Sequence, residues 1–371
     1  MSPIQLSGEP DAGAHWCTRV AKGWAQAQVL LLLAGTDTAA VEGISAAGAT
    51  AEARRHTAAA DAELLLRGPG GDRPHGLPPL PAGVSPALIA YVACDGLKLS
   101  PLVVDLGAPI APAVPHVQLL GTPARCLSTG AAMEPARVRE LLKLGRHWGC
   151  RPLAAPLVLA ECVPGGTTTA LAVLTALGIA ASGLVSGSLR QPAHQLKADL
   201  VEEGLRTAGL APGGADPEAV LAAVGDPMQA LAAGLVLGAA ERNQPVLLAG
   251  GSQMAAVLAL ALALAPPGRG PAVASLAAVA TTAWVAAEPG SDLGVLMGRI
   301  GQRWNVDPLA FAAGLRFDRC RSQALRDYED GYVKEGVGAG GLALLWELSG
   351  RSPAALAEAC DRACGELLGG L

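Results

Sequence analysis

The segment Glu161-Cys162-Val163-Pro164-Gly165-Gly166-Thr167-Thr168-Thr169 carries the strongest chemical signal in the chain. Two glycines let backbone amides approach an anion, and three threonines offer hydroxyls. A helix expected over 170–177 would add about half a positive charge at its N-terminus. Together these make a cup for a phosphate group. A Thr-capped helix after a Pro-Gly-Gly turn accounts for the same residues. A second small-residue turn, Val185-Ser186-Gly187-Ser188, is followed by Lys197, which is either a further cation for the same anion or an ordinary surface charge. Farther on, Lys334-Glu335-Gly336-Val337-Gly338-Ala339-Gly340-Gly341 sets a carboxylate ahead of a glycine cluster and of a helix expected over 342–348. Glu335 there suits a general base whose substrate proton comes within hydrogen-bond reach, or an acidic residue that the helix dipole favours. Asp37, Glu42, Ser45 and Glu288 fall at turns after expected strands, and Asp226 suits a turn or a helix cap.

These turns need elements to position them. Short apolar runs, at 29–34, 102–105, 156–160, 245–249 and 273–280, each lead into a turn or a small-residue segment, four of them glycine-bearing. Alternation of this kind predicts an α/β fold, a mostly parallel, doubly wound (Rossmann-like) sheet with helices on both faces and ligands beyond the carboxyl ends of the strands. Residues 67–86, dense in Pro and Gly, read as a long surface loop, and Asp216 as the N-cap of a new helix. The ends show helical spacing, more charge and few strand signals. The expected division is therefore an α/β nucleotide-binding core over 28–303 and a smaller helical portion from 1–27 and 304–371 that carries Glu335.

The 371 residues suffice for one large or two modest domains. With 51% hydrophobic and 16% charged residues, long disordered tails are not expected. Aromatic residues at 3% leave few platforms for stacking bases, and a net charge of -5 without a basic run argues against nucleic acid as a partner. The eight cysteines form no CxxC pair and no Cys/His spacing for zinc, which suits buried thiols in a reducing compartment. No apolar core of a secretory signal occupies 1–20, so a cytoplasmic protein is expected. Residues 246–265 carry no charge over a length that could cross a bilayer, yet Gly250-Gly251-Ser252-Gln253 interrupts them, and a strand, a turn and a helix over 253–264 explain them better than a membrane segment. The 161–169 turn has no GK[ST] ending for a Walker loop and no GxGxxG, and the chain has no G-x-S-x-G elbow and no acidic pair before a glycine loop of the kind that holds magnesium-pyrophosphate.

From about residue 29 to 345 the order of these turns resembles the nicotinate-nucleotide:dimethylbenzimidazole phosphoribosyltransferase family of cobalamin biosynthesis, nearest to a divergent archaeal and cyanobacterial branch. Glu161 and Pro164-Gly165-Gly166-Thr167-Thr168 fall on that family's phosphate turn, and Ser186-Gly187-Ser188 with Lys197 on its later small-residue turn and lysine. Ala287-Glu288-Pro289-Gly290 matches its Ala-Glu-Pro-Gly turn, and Glu335-Gly336-Val337-Gly338-Ala339 its catalytic Glu-Gly-x-Gly-Ala. Asp37 and Glu42-Gly43-Ile44-Ser45 resemble its segments for the acceptor base, as does the turn at Gly250-Gly251. The chain departs from the pattern on that side, with Thr38 where a histidine is usual, Gly48 among the usual prolines, and Leu248-Ala249-Gly250-Gly251-Ser252 for Val-Asp-Gly.

The resemblance implies transfer of the phosphoribosyl group of nicotinate mononucleotide to a dimethylbenzimidazole-like base or adenine, giving an α-ribazole-type phosphate. It implies Glu335 as catalytic base, no metal or other cofactor, and small-molecule partners, a nucleotide and a base, in a homo-oligomer. Phosphate and ribose would be held by Glu161, Gly165, Gly166, Thr167, Thr168, Ser186, Gly187, Ser188, Lys197 and Glu288, and the base by Asp37, Ser45, Gly250 and Gly251. The alternatives are transfer to another acceptor, such as a phenol, and a catalytically silent nucleotide-binding sensor or scaffold.

Overall fold

A computed structural model describes residues 3–151 and 155–369; the outermost residues of the expected end segments, 1–2 and 370–371, lie outside the described residues. Eight strands form one sheet among these residues: β1 (Ile4–Ser7), β2 (Gln28–Leu33), β3 (Leu102–Asp105), β4 (His116–Gln118), β5 (Leu157–Cys162), β6 (Val246–Ala249), β7 (Ala277–Thr281) and β8 (Leu309–Ala312). Their order is β1-β8-β7-β6-β5-β2-β3-β4, and every pairing is parallel except β1 with β8. The fold is the expected α/β type. From β2 the chain winds outward through β3 and β4, then returns to β5 beside β2 and winds the other way. The β2–β5 junction is therefore the topological switch point, where open parallel sheets leave a crevice beyond their carboxyl ends.

Apolar residues on successive positions of β5 divide between the two faces, as a pleated strand requires. Leu157 and Leu159 join a core with the helices Gly166–Ala176, Pro227–Glu241 and Ser252–Leu264, while Val158 and Ala160 join a core with Ala87–Leu97, Ala339–Leu348 and Pro353–Gly369. Burial on both faces explains why the strands read as continuous apolar runs.

Three details differ from the expected elements. The apolar run 273–280 divides into a helix, Gly270–Leu276, and β7, because Pro271 presets helical geometry in the first turn and Val273, Ala274 and Leu276 are buried as helix residues. The helix after the phosphate turn opens at Gly166 rather than at Ala170, and its N-cap is Gly165, at φ +80° and with no side-chain cap, so the Thr-capped alternative does not describe it. Both strand-poor ends contribute a strand. These are the short edge strand β1 and its neighbour β8, each of four residues and paired through contacts that no local pattern announces.

Other expectations hold. Asp216 caps Pro217–Val224 through Ala219 N–H, and Asp226 forms a capping box with Gln229 at the start of Pro227–Glu241. The uncharged stretch is β6, a glycine turn and a buried helix. Among the described residues no helix is long and apolar enough to cross a membrane. Residues 68–86 contain neither helix nor strand, as expected of a loop, but they are tied inward: the buried Glu63 carboxylate accepts from His75 N–H at 3.0 Å and from Ala113 N–H at 2.9 Å.

Candidate active site

Beyond the carboxyl ends of β5 and its neighbours lies a cavity of about 440 Å³. Its floor is the turn from β5 into Gly166–Ala176. Gly165 can take the left-handed φ of +80° that folds this turn back, and a Cβ on Gly166 would lie 2.0 Å from Gln253 Oε1, so a larger residue there would displace the Gln253 side chain. Among the described residues the amides of Gly165 and Thr167 make no hydrogen bond. They are the free donors that a helix start leaves for an anion.

Lys197, from the helix His194–Ala208, reaches the same place and is 1% exposed. Its Nζ donates to Thr167 Oγ1 at 2.9 Å and to Ser186 O at 3.1 Å, both neutral acceptors. Burial pushes this ammonium down to about 8, with the Glu288 carboxylate opposing the change and Lys334 adding to it. A Cβ on Gly187 would lie 3.0 Å from the Lys197 Nζ, so the backbone of this turn passes close to the ammonium. Next to it, Ser186 Oγ donates to Glu288 Oε2 at 2.5 Å, and Lys334 Nζ donates to Glu288 Oε1 at 2.5 Å and to Leu189 O at 2.7 Å. Lys334 is thus paired with Glu288, while the Lys197 ammonium has no carboxylate within salt-bridge distance among the described residues, a charge that an anion in the cup would neutralise.

Glu335 enters from the opposite wall. Its Oε2 accepts from Thr281 Oγ1 at 2.8 Å and Thr282 N–H at 3.0 Å, and its Oε1 from Gly340 N–H at 3.0 Å and Gly336 N–H at 3.1 Å. Burial raises its pKa and these four donors oppose the rise. The loop that presents it is strained, since Val333, Lys334 and Val337 have φ of +63°, +67° and +53°, a region that β-branched residues avoid. Lys334 on Glu288 anchors one side of that loop. Val337 N–H bonded to Glu161 O at 2.9 Å anchors the other. Glu161, at the end of β5, is pushed up to about 8 by burial first and by the Glu335 carboxylate second, against the hydrogen bond from Val163 N–H. Two carboxyl groups with unequal environments thus face one space.

Of the residues singled out in the sequence, Glu335, Glu161, Gly165, Gly166 and Thr167 line this cavity, and so do Ser186, Gly187, Ser188, Ser45 and Gly251. Ser45 and Ser188 come together at 3.1 Å between their hydroxyls, across 143 residues of sequence. Lys197 and Glu288 stand behind the wall. Thr168 is fully buried in the helix, and its hydroxyl has no hydrogen-bond partner among the described residues. Asp37 is exposed on a single turn and Gly250 lies under the wall, so neither lines the cavity.

The sequence reading passed over Asp61, Ser85, Thr281 and the role of Lys334. A signal existed for the first. Arg54, Thr57 and Asp61 recur at spacings of three and four in the alanine-rich helix Ala51–Arg67, which puts them on one face. On that face Arg54 binds the carbonyls of Ala39 and Gly48 and so shapes the loop that carries Ser45, while Thr57 and Asp61 line the cavity.

Comparison with known proteins agrees with this architecture. A family model described as phosphoribosyltransferase matches residues 87–285, which excludes Glu335. A UPF0284 protein of Parasynechococcus marenigrum (strain WH8102) is 54% identical over 361 residues, covering 95% of this chain and 89% of the relative. A UPF0284 protein of Prochlorococcus marinus (strain MIT 9313) is 54% identical over 352 residues, covering 92% and 86%. The fold is similar to that of CobT from Thermus thermophilus, with a TM-score of 0.58 at 21% identity over 96% of this chain and 92% of that one. It is also similar to a structure of nicotinate-nucleotide-dimethylbenzimidazole phosphoribosyltransferase from the same organism, with a TM-score of 0.55 at 19% identity over 98% and 92%. On the extent of the family match and of the cyanobacterial relatives, the chain belongs to the nicotinate-nucleotide:dimethylbenzimidazole phosphoribosyltransferase family, alongside the UPF0284 proteins.

Proposed function

We propose that the protein transfers the phosphoribosyl group of nicotinate mononucleotide to a nitrogen base, releasing nicotinate and forming an α-ribazole-type phosphate. The observation that carries this reading is that Glu335 and the Gly165-Gly166-Thr167 turn line one cavity, with the buried, carboxylate-free Lys197 behind the turn. The 5′-phosphate sits on the free amides of Gly165 and Thr167, and Lys197 supplies charge through the wall. The anomeric carbon then faces Glu335.

In the reaction the C1′–N bond to the pyridinium breaks, and its electron pair neutralises the departing nicotinate ring. The base nitrogen forms the new C1′–N bond, and its ring proton passes to the Glu335 carboxylate. A cationic leaving group is already activated, so the chemistry needs no Lewis acid. Glu161, protonated through neutral pH, adds no second negative charge to repel the donor phosphate or the base.

One observation favours the second reading, a silent nucleotide-binding protein: all four acceptor positions of Glu335 are filled by protein donors. Three of these are backbone amides. The fourth, the Thr281 hydroxyl, can rotate away and free Oε2 without moving the chain. Glu335→Gln separates the readings. For a transferase, nicotinate release from nicotinate mononucleotide falls about 10²–10⁴-fold while calorimetric binding of the nucleotide is retained. Absence of release by the unaltered protein with every base in a panel would establish the silent reading instead.

A further inference from the structure

The chamber that Glu335 lines also has apolar walls, with Leu77, Pro78, Leu80 and Pro81 from one loop and Val333 from another. One buried carboxylate interrupts them. Asp61 is 4% exposed and lines the chamber, with no cation within salt-bridge distance among the described residues. Ser85 Oγ donates to its Oδ1 at 2.6 Å, and the Cys162 thiol to its Oδ2 at 3.4 Å. An ionised carboxylate accepts about four hydrogen bonds, two per oxygen, so two positions of Asp61 remain open. Glu335, by contrast, has none open. Burial pushes Asp61 up to about 6, with both donors opposing, and at neutral pH it remains an ionised acceptor.

Asp61 and Glu335 occupy adjoining walls. Ser85 precedes Pro86, and a Cβ on Gly336 would lie 2.9 Å from Pro86 Cγ, so the loop of Glu335 rests on the segment that holds Asp61. Cys162 follows Glu161 on β5. A flat base placed with its reacting nitrogen at Glu335 would extend its other edge among the prolines toward Asp61.

We propose that Asp61, steadied by Ser85 and Cys162, is a specificity-determining residue that selects an acceptor base carrying a hydrogen-bond donor, an amino or hydroxyl group, on the edge away from the reacting nitrogen. Such a donor fills an open position on the carboxylate. Methyl groups at that edge would cover a buried charge and give it nothing in return, which is the kind of mismatch that polar sites reject most strongly. The two donors that Asp61 already has moderate the effect, so the preference is about 10–100-fold rather than the much larger ratios of fully unsatisfied sites. The proposal rests on the phosphoribosyl-transfer reading for the position of the base.

The test uses the full-length protein with nicotinate mononucleotide and three bases: adenine, 5-hydroxybenzimidazole and 5,6-dimethylbenzimidazole. For each base, kcat/KM for nicotinate release is measured, and in parallel the equilibrium binding of the base to the nucleotide-loaded protein. The unaltered protein is expected to favour the amino- or hydroxyl-bearing bases. Asp61→Leu is expected to bring the ratio to the dimethyl base to one or below, and Ser85→Ala, which leaves the carboxylate in place with one donor fewer, to keep the order with a ratio at least as large. A preference for the dimethyl base, or a ratio that Asp61→Leu leaves unchanged, overturns the proposal. If no base supports release, the transfer reading fails on its own, and the binding ratios still decide the role of Asp61: equal binding of all three bases, or none, overturns it. Should Asp61→Leu fail to fold, Asp61→Asn, which removes the charge but keeps one acceptor oxygen, is expected to lower the ratio without reversing it, and an unchanged ratio overturns the proposal.

Discussion

Lys197 is a buried ammonium whose contacts are a hydroxyl and a carbonyl, a situation that burial penalises and an anion relieves. A unit charge acting on the phosphate through the wall contributes on the order of 1.5–3 kcal/mol at an effective dielectric constant of about 20, so Lys197→Met is expected to weaken nicotinate mononucleotide binding about 10–150-fold by calorimetry. The pH dependence follows from the same group. Its pKa is lowered to about 8, so the ammonium form that favours the anion dwindles above that pH, and donor affinity falls on the alkaline side. In Lys197→Met that alkaline fall is expected to vanish. An unchanged alkaline profile would mean that another cation holds the phosphate.

Among the elements, the helices Pro135–Gly149 and Pro227–Glu241 approach closely because each carries glycines four apart, Gly145 and Gly149 facing Gly234 and Gly238. A Cβ on Gly145 would lie 2.2 Å from Leu231 O and one on Gly234 2.4 Å from Leu142 O, both backbone atoms that cannot step aside. This pair lies on the face of the sheet that supports the Gly166–Ala176 helix. Gly145→Ala is expected to destabilise the fold by about 1–3 kcal/mol in urea unfolding, the range for overpacking a tight contact. Gly298→Ala is the contrasting case. Gly298 is exposed in the helix Leu293–Trp304 with nothing near its missing Cβ, so helix propensity dominates and the change stabilises by about 0.5–1 kcal/mol. Equal effects at the two sites would show that the close approach of the helices carries no weight.

For the whole molecule, burial of unpaired carboxyl groups ties stability to pH. Glu161 is pushed up to about 8, and Asp61 and Asp226 to about 6, each by burial first. Between the ordinary carboxylate range near pH 4 and these values the native state holds more protons than the unfolded chain. Their contribution is therefore fully present below about pH 4 and is lost as pH rises through 6 and then 8. Urea midpoints at pH 5, 6.5 and 8 are expected to fall with a steeper slope in the unaltered protein than in Glu161→Gln, which has no proton to lose. Parallel slopes would place the titration of Glu161 in the ordinary carboxylate range. A site that holds carboxyl groups above their usual range gives up stability to keep them, as functional sites commonly do.

Much of this design is local and so is legible in the chain itself. Apolar runs that end in glycine turns specify strands buried on both faces, and Gly165-Gly166 folds the phosphate turn because the residues that demand its geometry are adjacent in sequence. The Asp216 and Asp226 caps follow for the same reason, since a cap bonds an amide three residues away. Tertiary structure alone decided which carboxylates share the cavity. Asp61 and Cys162 meet across 101 residues, Lys334 and Glu288 across 46, and Thr281 and Glu335 across 54. The same distance effect hid β1 and β8, whose pairing stabilises two short segments that have no strong preference by themselves. A residue's type gives its charge, but the solvent and partners around that charge come from segments the chain brings together only on folding.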